Sequence, residues 1–424
     1  MRVLLGAQSC GFGPVSKLTA ISRALEGHRR TFVGTTVASD FAHRNADAYD
    51  EVIEHDGDLT DVQDRVGPVD LVVSVMDADL AFSALAKGLD VLLVDSLLAF
   101  WQLERTPAEI ADVCRRAAGR GYVGWQDDVG ALTPHEQIYA AHLCATASVA
   151  QNFPGVPTRV RELEQLGAAA PRLSGAIIDH DAVGGAEGVD GSDVEVEPID
   201  LLVNIGGFKN FLLDFDVHNE YLHLIERWVP DLVRAWPQLR RVVVCGGAYG
   251  GERGRDLTVG RCRVTFECKP QREFIAAMAA TRHYLLTPGL TAIHEALAVG
   301  SFPLALPEEH VGHIANLQGL GATRFGRDGA RFTDLVPGFE VPADDFHGTA
   351  AIDRRVGQLL RDDVAYAGFV DGMNARLGTY LELTDAEREA GVAELREMLS
   401  GPSFADVLRG VIGSLPVAAS VAAV

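Results

Sequence analysis

The chain has 424 residues, 47% of them hydrophobic, 23% charged and only 7% aromatic, with 44 glycines and 18 prolines. At roughly 100–200 residues per domain, that length asks for two or three domains. Against 37 Lys+Arg stand 59 Asp+Glu, a net charge of −22. A surface that negative repels phosphate backbones and anionic headgroups, so neither nucleic acid nor a membrane is an expected partner. The C-terminal apolar stretch 411–424 is interrupted by Gly413, Ser414, Pro416 and Ser420, and is too short for the ~20 residues of a spanning helix. The opening MRVLLGAQSCGFG reads as a strand running into a glycine turn rather than a signal peptide. Six scattered cysteines without a C-x-x-C pair suit reduced thiols in the cytoplasm better than a disulfide frame or a zinc site.

In chain order, Val3–Leu5 reads as a buried strand, Ser16–Leu25 as a helix and Thr31–Val33 as a second strand. Val69–Val75 and Val91–Val94 follow as apolar strands with the helix Leu80–Ala86 between them, then a strand over Ala147–Asn152. Continuous apolar strands alternating with helices predict parallel sheets covered on both faces. Gly184–Pro198 is acidic, glycine-rich and poor in large apolar residues, as a linker would be. The alternation then restarts. Strands are expected at Leu201–Ile205, Arg241–Cys245, Val264–Glu267, Tyr284–Leu286 and Leu304–Leu306, and helices near Asn219–Trp236, Arg272–Ala280 and Ala292–Val299. Thr384–Gly410 reads as helical with a break at Gly401-Pro402. The expected class is therefore α/β, with two Rossmann-like, doubly wound domains facing a cleft. Residues 1–183 form the first, 184–198 link, 199–383 form the second, and 384–424 pack back on the first.

Each half opens on a strand followed by glycines: Gly6, Gly11 and Gly13 in the first, Gly206-Gly207 in the second. Such turns let backbone N–H groups approach phosphate, and a helix start adds favourable charge. A nicotinamide domain would need a third glycine and an acid at the end of the second strand. The first turn reads Gly-Phe-Gly-Pro-Val-Ser and the second strand ends Val33-Gly34-Thr35-Thr36, so both are missing. The second half is richer. Thr287-Pro288-Gly289 separates a strand from a helix, and the N–H groups of Leu290 and Thr291 follow it directly. Glu295 lies on the same end of that helix, where a carboxylate could take two vicinal ribose hydroxyls. Pro303–Asn316 then gives a strand, a loop carrying His310 and His313, and another helix start.

This order resembles the donor domain of GT-B glycosyltransferases, in particular the natural-product and plant enzymes that use nucleotide sugars and the peptidoglycan N-acetylglucosaminyltransferase. Pro270-Gln271 stands in the place of the family's Pro-Gln pair beside the nucleobase, with Cys268 where an aromatic residue usually stacks. Gly289 and Glu295 keep the spacing of the family's glycine and ribose-binding glutamate. Gly300-Ser301-Phe302-Pro303 resembles its Gly-x-Pro strand, and Asn316-Leu317 falls near its Asn-Ala helix start. Gly13, the helix Leu18–Leu25 and Gly27-His28 resemble the opening of the acceptor domain. The resemblance implies a nucleoside-diphosphate sugar as co-substrate, no cofactor and no metal. The implied donor-binding set is Gly13, Gly206, Gly207, Pro270, Gln271, Thr287, Gly289, Leu290, Thr291, Glu295, His310 and His313.

Departures bear on mechanism. Pro14 occupies the family's catalytic-histidine position, Thr287 that of a phosphate-contacting histidine, and Gly312-His313 that of the Asp-Gln pair on the donor sugar. Retaining members carry paired glutamates across this turn, and the first would fall on Thr287, which implies inversion. Without the histidine, an acceptor that ionises by itself is expected: a thiol, an amine or an acidic hydroxyl. Otherwise a carboxylate replaces the base, Asp95 at the end of VLLVD or Asp77 after VDLVVSV. Asp77-Ala78-Asp79 and Asp214-Phe215-Asp216 also resemble the metal signature of the other main glycosyltransferase fold, although carboxylates there equally cap helices. Lys209 could neutralise a phosphate, and His294 reads as packing. A sugar-nucleotide epimerase and a degenerate nucleotide-binding domain are the alternatives, and a homodimer stays open.

Overall fold

The computed structural model describes residues 1–55, 59–169, 171–187, 198–207 and 220–415. The chain divides into two compact units. Met1–Ser9, Pro14–Asp179 and Leu399–Val424 form the first, Cys10–Gly13 and His180–Met398 the second.

In the first unit the strands are β1 (Arg2–Ala7), β2 (Arg29–Gly34), β3 (Glu51–Glu54), β4 (Leu71–Val75), β5 (Val91–Asp95), β6 (Ala147–Gln151) and β7 (Pro171–Ser174). They form one sheet in the order β3-β2-β1-β4-β5-β6-β7, with every pairing parallel. LVVSV and VLLVD are buried at every position, as expected for strands covered by helices on both faces. Gly6 allows the cover to close. A Cβ there would lie 2.2 Å from Leu80 Cδ2, so only a glycine lets the helix Ala78–Ala86 lie this near β1. The helix Phe404–Ser414 completes this unit against β7, and the Gly175 N–H donates to the Pro402 carbonyl at 2.7 Å.

The second unit holds β8 (Ile199–Asn204), β9 (Arg241–Cys245), β10 (Arg255–Val259), β11 (Cys262–Glu267), β12 (Thr281–Leu286) and β13 (Leu304–Ala305). Their order is β10-β11-β9-β8-β12-β13. All pairs are parallel except the hairpin β10/β11. The helix Glu220–Ala235 buries Tyr221, Leu224, Ile225, Trp228 and Leu232 along one face. Its Tyr221 hydroxyl donates to the Pro307 carbonyl at 2.8 Å, which anchors the start of the two-histidine loop.

The α/β class and the doubly wound parallel sheets are thus present. Three short strands were not expected. β3 and β10 are largely polar, and β7 starts on a proline. The first helix starts at Phe12 rather than Ser16, because a proline is tolerated in a first turn where N–H groups lack partners anyway. Gly184–Glu187, read as linker, closes the helix His180–Glu187. The remainder of that linker and the tail from 416 lie outside the described residues.

Candidate nucleotide-sugar site

In an open parallel sheet, ligands sit beyond the carboxyl ends of the strands where the strand order reverses. In the second unit the reversal lies between β8 and β12. β8 runs out into Asn204, Gly206 and Gly207, and β12 into Thr287, Pro288 and Gly289. Both glycine turns singled out in the sequence therefore meet at one point. The Thr287 N–H donates to the Asn204 carbonyl at 2.9 Å, and a Cβ on Gly206 would stand 3.6 Å from Thr287 Oγ1. Gly206 has φ +65°, a conformation that favours glycine. Asn204 fixes that turn: its Oδ1 accepts from the Gly206 N–H at 2.9 Å while its Nδ2 donates to Tyr284 Oη at 2.9 Å.

Beyond Gly289 runs the helix Leu290–Ala298, and Gly289 offers it no side-chain cap. The N–H groups of its first turn, those of Leu290 and Ala292 included, point out at the reversal without an intrahelical acceptor. The turn is braced from the other side, where Asn316 Nδ2 donates to the Pro288 carbonyl at 2.8 Å. Thr291 Oγ1 donates to the Gly13 carbonyl at 3.5 Å, and Gly13 groups with this unit. Farther along, Glu295 is 4% exposed, and its Oε1 accepts from Gln271 Nε2 at 3.0 Å. Pro270 caps the helix Gln271–Ala279 that carries this glutamine. The pair expected beside a nucleobase and the glutamate expected on a ribose are therefore directly bonded. His294 is buried beside them.

The two-histidine loop adds a third polar cluster. Glu309 and His313 are 5% and 6% exposed, His310 is half-buried, and the two rings stack with centroids 3.8 Å apart. The Glu309 N–H donates to His313 Nδ1 at 3.3 Å. Burial lowers the His313 pKa well below its ordinary value and that of His310 to about 4, and pushes the Glu309 carboxyl up to about 8. Near neutrality both rings and the acid are uncharged. Their ligand atoms lie within 4.8 Å of one another, close enough to be weighed as a metal site. Glu309, Asn204 and Asn316 were not foreseen as site residues. The only sequence signal was their place beside a glycine pair, a histidine pair or a helix start.

In the first unit the strand order reverses between β1 and β4. Asp77 follows β4 there. It caps the helix Ala78–Ala86, accepting from the Leu80 N–H at 2.9 Å, as the capping reading of Asp-x-Asp anticipated. It is half-buried, and burial with the neighbouring Asp79 raises its pKa to about 6. The preceding Met76 has φ +57°, backbone strain in a side-chain-bearing residue of the kind that gathers at functional sites. Asp95 does not face outward from β5 as expected. It is fully buried, with Oδ1 accepting from the Leu97 N–H at 2.6 Å and Oδ2 from Trp101 Nε1 at 2.6 Å, while His142 Nε2 lies 3.0 Å from Oδ2. Lys209 and Asp214–Asp216 lie outside the described residues.

No family model matches this sequence, and no curated protein matches it. Among solved structures, the chain is similar to Os79 from O. sativa in complex with UDP, at 12% identity over 97% of this chain and 100% of that one, with a TM-score of 0.49. It is similar to Glycyrrhiza uralensis UGT73P12 complexed with glycyrrhetinic acid 3-O-monoglucuronide, at 11% identity over the whole of both chains, with a TM-score of 0.43. The spinosyn forosaminyltransferase SpnP gives 13% identity over 95% of this chain and 100% of its own, with a TM-score of 0.42. Among the described residues, no helix is long and apolar enough to cross a membrane.

Proposed function

We propose that the protein is a glycosyltransferase that moves a sugar from a nucleoside diphosphate to a small acceptor with inversion. One observation carries the reading: an uncapped helix start and two glycine turns meet at the strand reversal of the second sheet, with the Gln271–Glu295 pair buried behind them. A diphosphate on the N–H groups of Gly289, Leu290 and Thr291 gains their hydrogen bonds and the partial positive charge of the helix end. Glu295 serves the ribose, Pro270 and Gln271 the base, and His310 the sugar. Gly13, Gly206, Gly207 and Thr287 shape the surrounding turns. Because backbone and helix take up the phosphate charge, turnover needs no divalent metal.

In the transfer step the acceptor heteroatom bonds to the anomeric carbon as its bond to the phosphate oxygen breaks. The electron pair leaves on the nucleoside diphosphate, and the acceptor proton must go to a base or already be gone. Asp77 is the carboxylate suited to take it, since a base works best with a pKa near the working pH. Asp95, whose oxygens are occupied, holds Trp101 and His142 in place. A thiol or an acidic hydroxyl eases the demand on any base, because part of it is ionised near neutrality.

The test is a thermal-shift screen of nucleoside diphosphates and their sugars, followed by turnover with thiol, amine and phenol acceptors. Binding of one diphosphate series and transfer only with acceptor support the reading. Turnover of the nucleotide sugar alone would replace it with the epimerase, and binding without turnover with the degenerate domain.

A further inference from the structure

The unexplained group of the second unit is His313. Its Nδ1 accepts the Glu309 N–H at 3.3 Å. In a neutral imidazole one nitrogen accepts and the other carries the proton, so the proton is on Nε2. That nitrogen lies 3.8 Å from where a Cβ on Gly289 would stand. Among the described residues, Nε2 finds no acceptor. The side chain is 6% exposed, and a buried donor without a partner is rare enough in folded proteins to call for a reason. Beside it, the uncapped first turn of Leu290–Ala298 turns its N–H groups toward the same turn. Two sets of donors thus border one place and share no acceptor.

We propose that His313 Nε2–H is the side-chain donor of an anion site completed by that helix start, and that the anion is the diphosphate of the donor nucleotide. The assignment rests on the nucleotide-sugar reading above for the identity of the anion, and on geometry alone for the site. Neighbouring groups fit it. His310 stacks on the His313 ring and holds its plane, and Asn316 holds the Pro288 carbonyl so that the turn keeps its shape without ligand. Glu309 is uncharged near neutrality and does not repel a phosphate there. The same tautomer argues against a metal in the Glu309, His310 and His313 cluster. A ligating nitrogen needs its lone pair, yet Nε2 holds a proton and Nδ1 already receives one.

The experiment combines long-range 1H–15N spectra of the histidines in the full-length protein with calorimetry using inorganic pyrophosphate, a nucleoside diphosphate and the bare nucleoside. The expected result is an Nε2–H tautomer for His313 in the free protein and a shift of that signal when pyrophosphate is added. His313→Phe should lose about 10- to 100-fold in pyrophosphate and nucleoside diphosphate affinity, the worth of one hydrogen bond to a charged group, with the nucleoside unaffected. An Nδ1–H tautomer overturns the proposal, as does a folded His313→Phe protein with unchanged pyrophosphate affinity. So does tight zinc binding that His313→Phe abolishes. The tautomer is read on the unmodified protein and stands even if the variant does not fold. Pyrophosphate binding without nucleoside diphosphate binding leaves the anion site in place and removes the glycosyltransferase reading instead.

Discussion

Asp95→Asn separates a structural carboxylate from a catalytic one. The carboxylate is fully buried and meets three groups: the Leu97 N–H, Trp101 Nε1 and His142 Nε2. An asparagine of the same shape keeps its Oδ1 for Leu97. Its NH2 then faces the indole N–H, which can only donate, so that pair of donors is left without an acceptor. An unsatisfied buried donor costs about 1–3 kcal/mol, and a bond to a charged group is worth about 1.5–3 kcal/mol. His142 can offset part of this by presenting a bare nitrogen to the new amide. The net expectation is a loss of about 3 kcal/mol, which lowers a urea midpoint by roughly 1 M at an m of about 3 kcal/mol/M. Urea unfolding followed by near-ultraviolet circular dichroism reads the surroundings of buried Trp101 directly. Affinity for the donor nucleotide should not change. A wild-type midpoint combined with turnover reduced about 100-fold, the scale of general-base catalysis, would refute this reasoning and return Asp95 to the role of base.

Other expectations follow from the two carboxyls with raised pKa and from Glu295. If Asp77 takes the acceptor proton, kcat/KM should fall as pH drops through about 6, and Asp77→Asn should abolish that inflection. An unchanged profile in the variant assigns the inflection elsewhere. Glu309, ordinarily near 4.5, is held protonated by the fold up to about 8. The folded state binds this proton more tightly than the unfolded chain, so its contribution to stability is full below 4.5 and is lost as pH rises through about 8. Glu309→Gln should flatten thermal stability across that window, and an unaltered slope would show that the acid is not held this way. Glu295→Ala should weaken nucleoside diphosphate binding by roughly 1.5–3 kcal/mol in calorimetry, the worth of hydrogen bonds to a charged group. Undiminished affinity would remove Glu295 from the ribose.

The sheets were legible because their central strands are unbroken apolar runs. VDLVVSV and VLLV cannot satisfy a helical face pattern and end at polar residues, so their position, though not their order in the sheet, follows from composition. RDLTV and EVIE carry charges at half or more of the visible face and owe their strand geometry to the neighbours they pair with. The glycine turns were legible for the same local reason, since a strand, a glycine and a helix start are contiguous in sequence. What was hidden is tertiary. Asp95 and His142 are 47 positions apart, and nothing local to either tells that they share a hydrogen bond. Gln271 and Glu295 could be named separately, but not their bond. His313 was visible as a loop histidine, whereas the nitrogen that carries its proton depends on the backbone N–H of Glu309 and so on the fold.

The brace on the Pro288 carbonyl has a kinetic meaning. A phosphate-binding turn that orders only around its ligand makes each encounter wait for the loop, and binding then saturates at the rate of that ordering. Here Asn316 and Asn204 hold the two turns in shape before anything arrives. Capture is then set by diffusion and by the repulsion between an anionic ligand and a chain of net charge −22, and therefore accelerates as salt screens that charge. Discrimination among nucleotides falls to how long each one stays.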